Sequence, residues 1–248
     1  METTAGPSGS WCLVAPRHQI MVTDGRGQFS GKTCVERIDH MGSDDSVVNA
    51  ARVSFDRSAE HFSEESNVRL LNFLARENHW SPFAHTSVSM RFSAPIFISR
   101  QFVKHQVGFA WNEVSRRYVT TNIEFFVPET WRGAPANRKQ GSDLSKQTPV
   151  WGNVEALQAY TQSVGSALDQ YEHLLAEGVC PEQARSVLPL SMMTEWIWTG
   201  SLMAWRRFYD LRGDEHAQAE CWPYADTVGE VCSSLFPHSW DALDRARE

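Results

Sequence analysis

A mixed α/β chain, α+β in character, is predicted by two periodicities that alternate along the sequence and by the turn residues between them. Apolar residues recur at helical spacing in Met41–Asp56, Ser63–Glu77 and Thr148–Gly178, the repeat of a helix with one buried face. Val88, Met90 and Phe92 alternate with Ser87, Ser89 and Arg91, the repeat of a half-buried strand. The chain has 248 residues, 42% of them hydrophobic and 21% charged. That is enough to bury a core and is ordinary for a globular protein.

The order of elements follows from local chemistry. Residues 1–16 read as a flexible tail, and 17–248 as one domain. The start, METTAGPSGSW, has neither a basic nor an apolar segment of the kind a signal peptide needs, so a cytoplasmic location is expected. No apolar run approaches the roughly 20 residues of a membrane span. His18–Asp24 and Lys32–Asp39 read as short strands joined by a hairpin turn over Gly25–Gly31. The GRGQFSGKT segment fails as a phosphate loop, because the glycine required five residues before Gly31 is Arg26.

Ser43 then caps a helix with Asp44 and Asp45 in its first turn and Val47, Val48, Ala51 and Phe55 on one stripe. Ser63 caps a second, with Glu64 and Glu65 leading and Leu70, Leu71, Phe73 and Leu74 facing inward. After the Val88–Phe92 strand, Pro95 suits the first position of a helix. That helix is expected to carry Arg100, Gln101, Lys104 and His105 as two adjacent polar stripes. Ile123–Val127 is a strand ended by Pro128, and 130–147 a surface loop rich in turn residues. Thr148 and Pro149 open a long helix carrying Val154, Leu157, Tyr160, Val164, Leu168, Tyr171 and Leu175, which Gly178 ends.

Five cysteines occur (Cys12, Cys34, Cys180, Cys221 and Cys232), with no C-x-x-C pair. An odd count without that spacing argues against a disulfide framework or a zinc knuckle. His79 and His85 lack helical spacing and a third partner, so no metal site is expected. Cys180, before Pro181 at a helix start, is a rival nucleophile; a capping or buried thiol is the plainer reading.

The chemistry concentrates in Arg100–Tyr118. It holds Arg100, Lys104, His105, Arg116 and Arg117, with Gln101, Asn112, Glu113 and Ser115 between them, in a chain of net charge -7. A cationic island in an acidic protein points to a small anionic ligand rather than a nucleic-acid strand. A solvated helix followed by a charged edge strand is the competing reading. The interleaved Phe102, Val103, Val107, Phe109, Ala110 and Trp111 favour a half-buried pocket wall. Further on, Arg185, Arg206, Arg207 and Arg212 stand among Trp196, Trp198, Trp205, Phe208 and Tyr209. They are either aromatic walls for a planar cofactor with arginines for its phosphates, or a core helix whose arginines reach water.

The stretch from Ala110 to Tyr118, AWNEVSRRY, resembles the Ser-x-Asn-Glu-x-Ser-x-Arg-Tyr signature of the flavin-dependent thymidylate synthases, the ThyX family. Lys104, His105 and Gln106 stand at that family's Arg-His-Arg triplet. Ala184–Leu190 and Leu211–Gln218 resemble two further family runs, and MGSDDSVVNAARVSFD and SPFAH match as well, so the likeness covers most of 39–224.

The resemblance implies a single catalytic domain with a mixed sheet and long helices, assembled as a homotetramer with shared sites. It implies FAD as cofactor, and methylenetetrahydrofolate and NADPH as co-substrates, for methylation of uracil C5 in dUMP. Carried over, Arg212 is catalytic. An always-charged fork beside O2 and N3 favours the N3 anion and raises electron density at C5. Gln101, Lys104, Glu113, Ser115, Arg116, Arg117 and Arg185 map to the substrate. Ser81, Lys104, His105, Gln106, Glu113, Ser201, Arg207 and His216 map to the flavin.

Departures cluster in this site: Lys104 and Gln106 in place of arginines, Ala110 and Ser201 in place of serine and asparagine, Ala84 in place of glutamate, Arg207 in place of asparagine, and a longer spacer before Trp111. The family includes a UMP/dUMP C5-methylase of polyoxin-type nucleoside-antibiotic synthesis. A remodelled pocket of this kind rarely rejects an added hydroxyl strongly. Methylation of both dUMP and UMP is therefore expected, with a dUMP-only thymidylate synthase as the alternative and a non-catalytic nucleotide- or RNA-binding module as a remote one. No nucleic-acid or membrane partner is expected.

Overall fold

The structure is a computed structural model that describes residues 28–29, 34–136 and 141–247. The tail, the expected His18–Asp24 strand and Cys12 lie outside those residues. The chain begins with β1 (Gln28–Phe29), β2 (Cys34–Met41), α1 (Asp44–Arg52) and α2 (Glu64–Arg76). It continues with β3 (Ser87–Pro95), α3 (Ile96–Phe102), β4 (Phe109–Glu113) and β5 (Glu124–Phe125). Then come β6 (Thr130–Gly133), β7 (Asp143–Pro149), α4 (Val154–Ala176), α5 (Pro181–Ala184) and β8 (Met193–Gly200). Helices α6 (Leu202–Arg212), α7 (Trp222–Leu235) and α8 (Pro237–Arg245) complete it. No helix among the described residues is long and apolar enough to cross a membrane.

The central sheet has strand order β2-β3-β8-β4. All three of its ladders are antiparallel, so the expected mixed sheet is corrected to an antiparallel one. The parallel pair is β1 with β5, two residues on each side. Of the expected hairpin turn over Gly25–Gly31 only Gln28 and Phe29 are among the described residues; the rest lies outside them. Gln28 and Phe29 lie in extended backbone beside Glu124 and Phe125, and β2 takes β3 as its neighbour.

The alternation in β3 places Val88, Met90, Phe92 and Ala94 on one buried face. Phe92 lies opposite Trp196 on β8, and Trp198 opposite Trp111 on β4. Phe92 stacks on Trp196 at 5.2 Å, and Trp198 meets Trp205 of α6 edge-on at 5.0 Å. Trp196, Trp198, Trp205 and Phe208 are thus fully buried core. Their reading as cofactor walls is corrected: the two-residue period of β8 turns both tryptophans under α6 and α7, where burial of large rings dominates the hydrophobic term.

Arg206 does not reach water either. It is 1% exposed, contacts Asp210 at 2.7 Å and Asp244 of α8 at 2.9 Å, and lies over the Trp240 ring. Burial pushes the Asp210 carboxyl above its usual range, against the pull of Arg206. The Arg206–Asp244 contact joins α6 to α8.

Three helix expectations shift, two at an end and one on a face. Ser43 and Ser63 cap as expected. Helix α1 stops at Arg52, and a 3-10 turn over Val53–Phe55 leaves Phe55 77% exposed. In α2, Leu71 and Leu74 are buried while Phe73 faces solvent. The long helix starts at Val154 under an Asn153 cap, because Thr148 and Pro149 are spent in the β6–β7 hairpin opposite Trp131 and Thr130. The described residues of 130–147 therefore lie largely in those two paired strands. Gly178, at φ +82, follows the end of α4 as expected.

Candidate functional site

Helix α3 ends at Phe102, whose ring is buried against Phe208 at 4.9 Å. Lys104 and His105 therefore leave the helix: His105 N donates back to Phe102 O in a single turn. The two expected polar stripes are corrected to one helical residue each, Arg100 and Gln101, followed by a loop. Gly108, at φ +80, lets that loop lie against α6, where Ser201 N donates to Gly108 O at 3.2 Å. An added Cβ there meets Ala204 Cβ at 3.0 Å and Ser201 Oγ at 3.2 Å. Glycine thus serves both the conformation and the approach.

The loop brings His105 onto Arg212 at the last turn of α6. Arg212 Nε donates to His105 Nε2 at 3.0 Å, and Nη2 donates to the Gln101 carbonyl at 2.9 Å. Nη1 faces Gln101 Oε1 at the longer 3.5 Å. The His105 ring rests edge-on to Phe208 at 5.3 Å. Burial, and then the Arg212 charge, lower His105 to about 4. It is neutral at ordinary pH, with Nε2 free to accept.

Gln101 continues the contact outward. Its Nε2 donates to Gln218 Oε1 at 2.6 Å, and Gln218 Nε2 donates to Glu220 Oε2 at 2.9 Å. Cys221 Sγ lies 3.8 Å from Gln101 Oε1, and burial pushes that thiol up to about 12. It stays protonated and is no nucleophile. Cys180 is exposed at the start of α5, with its thiol 3.7 Å from Gln183 Oε1.

The remaining expected residues sit apart from this cluster or at its rim. Glu113, at the end of edge strand β4, accepts from Thr194 Oγ1 at 2.8 Å and from Trp111 Nε1 at 3.3 Å. Ser115 Oγ accepts from Arg117 Nε at 3.3 Å. Arg116 donates to the Thr121 carbonyl at 2.9 Å; burial lowers its pKa, and it acts as a staple of its own loop. Arg185 Nε donates to the Glu182 carbonyl at 3.2 Å. Ser81 is the exposed residue before a 3-10 turn, and Ser201 Oγ caps α6 by accepting from Ala204 N at 3.2 Å. Gln106 is exposed in the loop before β4, where its carbonyl accepts from Phe109 N at 3.2 Å. His216 is held by Asp214 at 2.9 Å on an exposed loop.

Arg207 lies over the half-exposed Trp80 ring at 5.7 Å. Among the described residues, no carboxylate lies within ion-pair distance of Arg100, Lys104, Arg117, Arg185 or Arg207. Exposed cations without carboxylate partners, one of them over an exposed indole, fit an anionic and planar group.

Gln218 and Glu220 escaped the residue-by-residue reading. Gln218 stands in the Leu211–Gln218 run, where the resemblance implies no role for it. Arg132, which binds Glu220, had no local signal at all: its partner is distant in sequence.

Comparison with known proteins identifies the family. The family model described as Thymidylate synthase complementing protein matches residues 37–238. A flavin-dependent thymidylate synthase of Kosmotoga olearia is 34% identical over 212 residues, which is 86% of this chain and 90% of that protein. One from Thermus thermophilus is 34% identical over 213 residues, 86% of this chain and 76% of that protein. The crystal structure of a UMP/dUMP methylase, PolB from Streptomyces cacaoi bound with 5-Br dUMP, has a TM-score of 0.76 at 28% identity. It covers 88% of this chain and 97% of that one. The same methylase bound with 5-Br UMP has a TM-score of 0.75 at 27% identity, over 88% and 96% of the two chains.

Proposed function

The chain belongs to the thymidylate synthase complementing protein family, a family of flavin-dependent methyltransferases, and from that premise we propose that it methylates C5 of the uracil ring in dUMP and also in UMP. In the overall change C5 gives up its proton and gains a methyl group. The carbon comes from methylenetetrahydrofolate and the hydride from NADPH.

The observation that carries the reading is the Arg212 guanidinium, fixed between His105 Nε2 and the Gln101 carbonyl. Nε and Nη2 are held by protein acceptors and Nη1 faces Gln101 Oε1; each terminal nitrogen carries a second N–H, and those two point the end of the fork at a ligand. A planar fork can face O2 and N3 of uracil together and stabilise the N3 anion. Electron density then rises at C5 without addition of a thiol at C6. The protonated Cys221 beside Gln101 is consistent with that route.

Arg117, with Ser115 on its Nε, and the exposed Arg185 supply charge for the nucleotide phosphate. Gln101 and Glu113 are polar groups for its ring and sugar. Lys104 and Arg116 remain assigned to the nucleotide side, although Arg116 is committed to backbone carbonyls within the chain.

The donor set at Lys104 and Arg207, with Trp80 beside the latter, fits the diphosphate and ring of FAD. Ser81, His105, Gln106, Glu113, Ser201 and His216 complete its assigned contacts. When bound, the flavin supplies the carrier for the one-carbon unit and the hydride that finishes the methyl group. Toward it, this chain contributes cations for the phosphates and a neutral imidazole that adds no charge beside the ring.

Acceptance of UMP is supported by the structural neighbour named for both nucleotides and by the departures at Lys104, Gln106 and Arg207. Assembly as a homotetramer with shared sites rests on the family to which the chain belongs. The test is a competition assay of dUMP against UMP with methylenetetrahydrofolate, FAD and NADPH. Both 5-methylated nucleotides are expected. Product from dUMP alone at saturating UMP overturns the dual-substrate reading, and no product from either overturns the activity.

A further inference from the structure

Arg212 is the end of a longer line of contacts. At the far end, Arg132 of β6 places Nη2 against both carboxylate oxygens of Glu220, at 2.5 and 2.6 Å. Arg132 Nε donates to Ser142 Oγ at 3.0 Å, which ties the arginine to its own hairpin segment. Both members of the pair are largely covered, with side chains 19% and 16% exposed. From Glu220 the line runs through Gln218 and Gln101 to Arg212.

The line has a sense. A guanidinium only donates and a carboxylate only accepts. Glu220 therefore takes the amide N–H of Gln218 and turns Gln218 Oε1 toward Gln101. Gln101 in turn offers N–H to Gln218 and leaves its Oε1 facing Arg212 Nη1 and the Cys221 thiol. Side-chain amides can flip at almost no cost in shape. Here each flip is forbidden by the charge at the end. With Gln101 reversed, its N–H₂ would face two donors, and the Arg212 guanidinium would be repelled from the Gln101 carbonyl it now holds.

We propose that Arg132 and Glu220 are positioning residues for the proposed methylation: by fixing the sense of the Gln218 and Gln101 amides they hold Arg212 in its working orientation. The β6–β7 hairpin is then a support of the site rather than a surface excursion. This rests on the reading of Arg212 as the uracil-polarising group. Partners behind a ligating or polarising side chain typically carry a tenfold to hundredfold effect.

The experiment compares Arg132→Met, Arg132→Lys and Glu220→Gln with the unaltered flavin-loaded enzyme, alone and in a Gln101→Ala background. Arg132→Met and Glu220→Gln are expected to lower kcat by about tenfold to hundredfold, with flavin content and thermal midpoint retained and KM changed less. Arg132→Lys is expected to recover most of the loss. In the Gln101→Ala background, Arg132→Met is expected to add little, because the line is already cut.

Crystal structures read the same point without turnover. In Arg132→Met, Arg212 is expected to leave the Gln101 carbonyl. Normal kcat in Arg132→Met, or an undiminished loss in the Gln101→Ala background, overturns the proposal. So does an Arg212 that keeps both contacts in the variant crystal. An unaltered protein that methylates neither nucleotide would instead overturn the functional reading, and the variant crystals would still decide the positioning.

Discussion

Arg212 Nε donates to Nε2 of His105 at 3.0 Å, and this bond assigns the protons of both side chains. Nε2 accepts, so the neutral ring carries its proton on Nδ1. The same bond sets the plane of the guanidinium, since Nε fixes the direction in which the two terminal nitrogens point. The Gln101 carbonyl holds one of them at 2.9 Å. An arginine at the last turn of a helix thus gets its aim from a loop residue and a main-chain oxygen.

Arg212→Lys retains the positive charge and loses the fork. A point charge cannot serve His105, the Gln101 carbonyl and two ring atoms together. Turnover is expected to fall by about a hundredfold or more, with flavin content and secondary structure unchanged. Steady-state kinetics on dUMP with absorbance of the bound flavin would check this. Near-normal turnover would remove Arg212 from the catalytic role.

His105 makes stability depend on acid. Its folded value of about 4 lies below its ordinary 6.5, through burial first and Arg212 second. Between those values the unfolded chain binds the proton more readily, so stability rises with pH across that window. The contribution is complete above about 6.5 and is lost progressively toward about 4. Urea midpoints measured from about pH 7 down to about pH 4.5 should fall more for the wild type than for His105→Asn. Parallel curves would contradict the assigned proton state.

Gly200 ends β8 opposite Phe109, whose ring occupies the space a Cβ would need. The same ring stacks on Trp198 at 4.4 Å. Gly200→Ala must therefore move Phe109 off the core tryptophan or bend the sheet end. A loss of about 1–3 kcal/mol is expected, as for other overpacked sites, with a drop in turnover because Phe109 follows the Lys104–Gly108 loop. Denaturant unfolding measures it, and an unchanged midpoint would show that the ring relocates freely.

A tetramer is expected in solution by light scattering, with activity falling on dilution as subunits separate. The uncovered cations of one chain, Lys104, Arg117, Arg185 and Arg207, are then supplied with ligands and neighbours from other copies. A fully active monomer would contradict a site shared between subunits.

Much of the scaffold was legible because the signals were local. Ser43 and Ser63 cap helices through the turn they open, and Val88, Met90 and Phe92 alternate because a strand does. Errors fell where a distant partner overrode a local cue. Thr148 and Pro149 look like a helix start, yet pairing with Trp131 and Thr130 holds them in a hairpin and delays α4 to Val154. The aromatics of Met193–Phe208 look like cofactor walls in one dimension. A strand followed by a helix buries them.

For the site, the residue types that point to an anionic ligand stand in Arg100–Tyr118 and Leu211–Gln218, because charge in an acidic chain needs no geometry to be noticed. The family likeness was carried by the same runs. What the fold alone decided is which of those groups meet. His105 and Gln101 reach Arg212 only because α3 stops at Phe102 and Gly108 turns the chain onto α6. Arg132 reaches Glu220 across 88 residues. Hydrogen bonds act over about 3 Å, so pairings between residues far apart in the chain belong to the tertiary structure, while caps, periods and charge belong to the sequence.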